Sequence, residues 1–367
     1  MYTTIQNKNL QVVFFSILLL QAGIIIFLAP HILPDKYFYD AITIRKQYTQ
    51  LQNSSFEFFD SYANTARFYR FFGIDQLNSS LLEGCFAYSI VFISLFFTFK
   101  FTNTQINKQI AMFIFIWNVP VSIYLGQLSK DAIAFLFMGL ITFLVIKSEK
   151  LTLFKILLLI VIYALFFRSY WFTYGVFVLI NYSILLNGYK IFKSQTLKIM
   201  CYIVGILALF ITSNIFGTAL TDSRTSVNMF REGSVDANTL ISNYMPNSNF
   251  LTDMINWMVA FITIVFPISL VPRMNILSLA FTLWNIFNIY FLFRVFRNTI
   301  TYNLNDRDIK KIKLIFTLII SFTFTQALFE PDLGSFLRHQ LIQLPPSFYL
   351  LLTCYKGYRK KFNAKFF

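Results

Sequence analysis

Residues 329 to 340 read FEPDLGSFLRHQ, so two carboxylates, a guanidinium and an imidazole stand within ten residues, Glu330 to His339, of an otherwise apolar stretch. Such a set has the parts of a group transfer. A carboxylate or imidazole can take a proton from an attacking hydroxyl, and an arginine can grip an oxyanion at two points without ever losing its charge. Asp332, Glu330 and His339 are all candidates for the base, and the residue types alone do not choose between them. Arg338 is the candidate for the oxyanion.

Other ionisable residues stand where apolar runs begin or end: Lys130 and Asp131 in GQLSKDAIAF, Arg168 in FFRSYWFTYG, Arg224 and Arg231 in TDSRTSVNMFREGS, and Arg273 in LVPRMN. Each has a plain structural reading. Lys130 and Asp131 would cap a helical hairpin, Arg168 would snorkel from a helix end, and Arg224 and Arg231 would be solvated loop charges. Their convergence on one face of a chain that spares few charges points instead to a phosphate or diphosphate, with arginine stabilising the leaving group as a neighbouring base activates an acceptor hydroxyl. No metal is expected: Cys85, Cys201 and Cys354 lie in or beside apolar runs with no second Cys or His at ligand spacing. No other cofactor is expected either. The triplet Asp306-Arg307-Asp308 has the form of a metal-binding DxD, but Lys310, Lys311 and Lys313 follow it in a short loop, so charge balancing is its reading.

The elements that would position these residues are membrane helices. The 367-residue chain is 57% hydrophobic and only 13% charged, with a mean hydropathy of +0.61; a soluble chain carries about a quarter charged residues. Apolar runs fall at roughly 12–30, 81–99, 109–126, 131–147, 152–167, 170–187, 198–217, 275–293, 313–329 and 339–355. The first lacks a small-residue cleavage site and reads as a retained helix. Segment 254–272, ending at Pro267 and Pro272, reads as a re-entrant or interfacial helix, because a full span there would put the basic stretch FRNTITYNLNDRDIKKIK outside. Ten spans with both termini cytoplasmic follow. The inner segments then carry 20 of the 31 basic residues and 3 of the 16 acidic ones, a net +17 against about −2 outside. The basic balance is thus a topology signal, and nucleic acid is not an expected partner. Two long outer loops, 31–80 and 218–253, complete a single membrane domain of residues 1–367, and the first contains the amphipathic stretch FEFFDSYANTARFYRFFGID. The 47 Phe and 20 Tyr are spread over every segment and mark no site.

YFYDAITIR and FYRFFGID in the first outer loop, LSKDAIAFL at a helix start, RSYW, FREGSVDANTLI, and EPDLGSFLRHQLIQLP near the end together resemble bacterial repeat-unit polymerases of the Wzy and EpsG type. GSFLRHQ followed by LP, and the SKD step, are the most specific pieces. The resemblance implies an all-α polytopic protein of the multispanning glycosyltransferase (GT-C-like) kind in the bacterial cytoplasmic membrane. It implies that lipid-linked oligosaccharide units on undecaprenyl diphosphate are joined, at the outer face, into O-antigen, capsule or exopolysaccharide without a metal or nucleotide. Membrane lipid, a flippase and a chain-length regulator are the partners it implies. It assigns Arg338 to the diphosphate, with Arg168 and Arg273 behind it, and Arg224 and Arg231 to glycan or phosphate.

Two other readings compete. A transferase using a polyprenyl-monophosphate sugar would place an acidic base, Asp35, Asp40 or Asp60, in the first outer loop. A flippase or transporter would need internal pseudo-symmetry and ionisable residues buried mid-helix, and the sequence displays neither.

Overall fold

The structure is a computed structural model that describes residues 8–51, 55–102, 106, 108–147, 151–183, 195–215, 217–231, 239–267, 279, 282–290, 293 and 306–353. Among the described residues it is helical throughout, with one isolated antiparallel bridge, Leu240 to Asp332. The helices are α1 (Lys8–Ile32), α2 (Tyr39–Gln50), α3 (Ser61–Phe71), α4 (Ser80–Thr102), α5 (Lys108–Leu125), α6 (Lys130–Lys147), α7 (Thr152–Phe166), α8 (Trp171–Tyr182), α9 (Gln195–Ile215), α10 (Asp222–Arg231), α11 (Phe250–Val265), α12 (282–290), α13 (Asp306–Phe329), α14 (Leu333–Gln340) and α15 (344–353).

Three stretches are long and apolar enough to cross a membrane: Gln11–Ile32, Ser80–Thr102 and Asp306–Phe329. Shorter apolar helices are Ile110–Leu125, Thr152–Phe166, Tyr202–Ile215 and Phe250–Val265. On α1 the side chains of Val12, Leu20, Ile24, Phe27 and Ile32 are exposed, a surface that water would penalise and acyl chains would not. The segment expected to be re-entrant is α11, which stops at Phe266 before Pro267. Its 16 residues measure about 24 Å at 1.5 Å per residue, short of a hydrocarbon core of about 30 Å.

Contacts divide the chain into two compact units, Met1–Phe172 with Leu341–Phe367, and Thr173–Gln340. In the first, α4 packs on α6, α1 on α4 and α5, and α6 on α7. Lipid offers no hydrophobic drive between helices, so close backbone approach and polar contacts hold them. A Cβ on Gly84 would come within 2.5 Å of the Gly126 carbonyl, and one on Gly139 within 2.8 Å of the Ser94 Cβ. Asn118 of α5 donates to the Leu18 carbonyl and to Gln21 Oε1 of α1, and accepts from the Tyr88 hydroxyl of α4.

The expected first outer loop is itself built from helices: α2 packs against α3, with short 3-10 turns at Asp35–Phe38 and Ile74–Gln76. The cap sits on the start of α6, where the Tyr69 hydroxyl donates to the Ser129 carbonyl at 3.0 Å. Burial pushes that phenol far above its ordinary range, so it remains a donor.

The second unit packs α11 against α9 and α13 around Phe177, Phe210, Trp257, Ala327, Leu328, Leu333 and Phe336. Trp257 donates to the Phe324 carbonyl at 3.1 Å, and Asn181 of α8 to Ser321 of α13 at 2.9 Å. The span expected at 339–355 is broken. α14 occupies Leu333–Gln340, a 3-10 turn takes Leu341–Gln343, and α15 begins beside Pro345 and Pro346. Proline is well accommodated in a first turn, where its missing N–H has no intrahelical partner.

Candidate functional site

The opening motif folds as a turn and a short helix. α13 ends with the Glu330 amide bonded to the Gln326 carbonyl, and Pro331 and Leu333 pair with Ile241 and Thr239 at 2.8 and 3.1 Å. Asp332 accepts from the Ser335 amide at 2.7 Å, the contact of an N-cap residue with the third helical N–H. One and a half to two turns later, on the buried face that also holds Leu333 and Phe336, comes His339. Its Nδ1 meets Glu330 Oε1, and both side chains are buried.

That contact orients the imidazole. The carboxylate holds the ring through Nδ1, so the two ring nitrogens have different surroundings. Arg338, half-buried, precedes His339 in the last turn of α14. Helix α12 is tied to the same element by Trp284, whose indole N–H donates to Gln340 Oε1 at 3.0 Å.

Arg224 departs from the solvated-loop reading, for it is fully buried. Its guanidinium donates to the Ala327 carbonyl at 2.7 Å and to Asn243 Oδ1, joining α10 to the end of α13 just before Glu330. Burial lowers its pKa to about 10, partly offset by Asp253, and it stays charged at neutral pH. Asp253, at the start of α11, accepts from the Leu220 and Thr221 amides and the Thr221 hydroxyl. Asn247 and Asn256 extend this network. Arg231 is the last residue of α10, and Arg273 lies outside the described residues.

In the first unit the structure brings Lys130, Asp131 and Arg168 together and adds Asp40. Arg168 Nη2 is 2.7 Å from Asp131 Oδ1, with both side chains nearly or wholly buried, and Nη1 donates to the Tyr170 hydroxyl at 2.9 Å. Lys130 Nζ lies 3.5 Å from the centre of the Tyr62 ring, whose hydroxyl donates to buried Asp40 at 2.9 Å. The Tyr163 hydroxyl donates to the Lys130 carbonyl at 3.1 Å. The group balances two cations against two carboxylates. Of the other first-loop acids, Asp60 caps α3 through the Ala63 amide, and Asp35 opens the first 3-10 turn.

Sequence reasoning did not foresee Tyr62, Asn243 or Asp253. Aromatic and Asn residues are too frequent in this chain for type alone to mark Tyr62 or Asn243, and the role of Asp253 comes from Leu220 and Thr221, over thirty residues away in sequence. Among the described residues no three His, Cys, Asp or Glu side chains are grouped to hold a metal ion. Comparison of the chain with protein families, with curated proteins and with solved structures finds no match.

Proposed function

We propose that this protein is a membrane glycosyltransferase, a polymerase that joins oligosaccharide repeat units carried on undecaprenyl diphosphate into a surface polysaccharide at the outer face of the bacterial cytoplasmic membrane. In this reading about ten spans place both termini in the cytoplasm and α14 at the outer surface, in a GT-C-like arrangement. The observation that carries it is the buried contact of His339 with Glu330, one residue from Arg338 on the same eight-residue helix.

The chemistry follows from these groups. His339 Nε2 takes the proton of the acceptor hydroxyl, and Glu330 stabilises the imidazolium. The acceptor oxygen forms a bond to the anomeric carbon as the carbon–oxygen bond to the diphosphate breaks. The electron pair leaves with the diphosphate, held by the planar fork of Arg338. A base and a diphosphate clamp must lie within about one sugar's reach of each other, because attack and departure share a carbon.

A purified assay with lipid-linked units tests the reading. Arg338→Lys should slow chain growth by about a hundredfold, on the order of 3 kcal/mol per lost charge-assisted contact, with folded protein near normal. His339→Gln should do the same per folded molecule, its yield being lowered because Glu330 stays buried without its partner. Wild-type ladders from both variants would remove the proposal.

A second reading is favoured by Asp40. It lies buried beside Tyr62 and Lys130, as a base in a monophosphate-sugar transferase would. An inactive, folded Asp40→Asn beside an active His339→Gln would select it.

A further inference from the structure

Phe59 holds a backbone conformation that few bulky residues adopt. Its φ is 63°, in the left-handed region, where Cβ crowds the carbonyl oxygen. Such a conformation persists where the surroundings over-determine it, and here they do. The Phe59 amide donates to the Leu165 carbonyl at 2.8 Å. Asn64 donates to the Phe166 carbonyl at 2.8 Å and to the Glu57 carbonyl at 2.5 Å, and accepts from the Glu57 amide at 3.0 Å. Arg67 grips Glu57 at 2.6 Å and Asn64 at 2.9 Å. The tip of the first loop is therefore clamped to the last turn of α7, whose carbonyls lack intrahelical partners.

What this rigid tip presents is three phenyl rings beside two exposed acids, Glu57, which is paired with Arg67, and Asp60. Phe56, Phe58 and Phe59 are 45%, 65% and 63% exposed, although the same segment buries Asn64 and Arg67. Phe58 stacks on Phe166 with ring centres 5.3 Å apart, Phe56 meets Phe166 and Phe167 edge-on, and Phe59 leans on Phe172. Phe166 and Phe167 precede Arg168 in the chain and Phe172 follows it, so the rings flank the turn that carries the arginine. The occupant of this surface is fixed by where it is clamped. It lies at the end of a 15-residue apolar helix, about 22 Å long at 1.5 Å per residue, so that with the far end of that helix at one membrane boundary the rings lie on the acyl side of the other.

We infer that the rings of Phe56, Phe58 and Phe59, with Phe166 and Phe172, form an interfacial wedge that inserts into the acyl boundary of the leaflet and fixes the depth of the Arg168 turn, while the Glu57 and Arg67 pair stays at the headgroups. Phenyl rings lack the polar handle that keeps Tyr and Trp at the surface, so their tips sit on the acyl side. The left-handed turn at Phe59 is what aims them there. The inference rests on α7 lying in a membrane and is independent of the transferase reading.

The test measures depth in the whole protein reconstituted in phosphatidylglycerol and phosphatidylethanolamine bilayers. After the three native cysteines are replaced, nitroxide labels are placed singly at Phe56→Cys, Phe58→Cys and, as a water-facing reference, Gln50→Cys, which is exposed at the end of α2. Labels at 56 and 58 should favour oxygen over a nickel chelate several-fold relative to position 50, at about 5–10 Å below the phosphates. In the chain with its native cysteines, benzoylphenylalanine at position 58 should crosslink to phospholipid. Accessibility at 56 and 58 equal to that at position 50 would overturn the inference. So would labels shielded from both reagents with crosslinks to protein, which would make the surface a contact between copies.

Discussion

Single charges decide most at this molecule's polar sites, and Asp131 with Arg168 is the clearest case. Both side chains are almost out of solvent's reach, so removing one partner leaves the other as an uncompensated buried charge, which costs about 3–5 kcal/mol. Asp131→Asn should therefore lower the unfolding temperature in detergent sharply. Asp75→Asn should lower it less, because its partner Arg70 is left about a third exposed and still bonded to the Tyr48 carbonyl. Equal shifts would show that the Arg168 pair is solvated. Phe59→Gly is expected to act in the opposite direction. Glycine adopts a φ of 63° without crowding, so the variant should gain about 0.5–1 kcal/mol after its larger unfolded-state entropy is counted; a loss of stability would mean that the ring packs into the fold. The sequence showed Lys130, Asp131 and Arg168 as boundary charges, which is where scarce charges must lie. It did not show that Asp131 and Arg168 pair, since nothing local links the start of α6 with the turn after α7.

At the scale of the element, α14 shows what apolar patterning can and cannot reveal. Hydropathy marks 339–355 as one run, yet the helix Leu333–Gln340 buries Leu333, Phe336 and His339, spaced by three, against its own unit. The next helix starts anew beside Pro345 and Pro346. A window long enough to find a membrane span averages over an eight-residue helix. The acid cluster was legible as chemistry, but its division of labour depends on the helix. Glu330 lies before the turn and meets His339, whereas Asp332 caps the first turn. This separates the two carboxylates experimentally. Asparagine caps a helix about as well as aspartate, and alanine costs about 1 kcal/mol. Asp332→Asn should thus retain stability and the proposed polymerisation, and Asp332→Ala should lose about 1 kcal/mol in thermal unfolding while keeping that proposed activity in the folded fraction. A folded but inactive Asp332→Asn would instead move the base to Asp332.

For the molecule as a whole, orientation in the membrane is what gives these sites access to a substrate. Both proposed chemistries need their residues on the outer side, where a lipid-linked unit would be presented, and the basis for that orientation is the distribution of charge. Lysines and arginines in short loops stay cytoplasmic, and assigning the loops accordingly yields +17 inside and about −2 outside from a total of +15. The reverse orientation would export almost all of that excess. Single cysteines at Ser335, in α14, and at Ser234, in the second long loop, should therefore react with a membrane-impermeant maleimide added to intact spheroplasts. A cysteine at Asn303, beside the basic run Arg307 to Lys313, should react only after the membrane is opened. Labelling of Asn303→Cys from outside, with Ser335→Cys protected, would put α14 in the cytoplasm. The His339 and Glu330 pair would then face the wrong compartment for a lipid-linked acceptor, and both transferase readings would fall together.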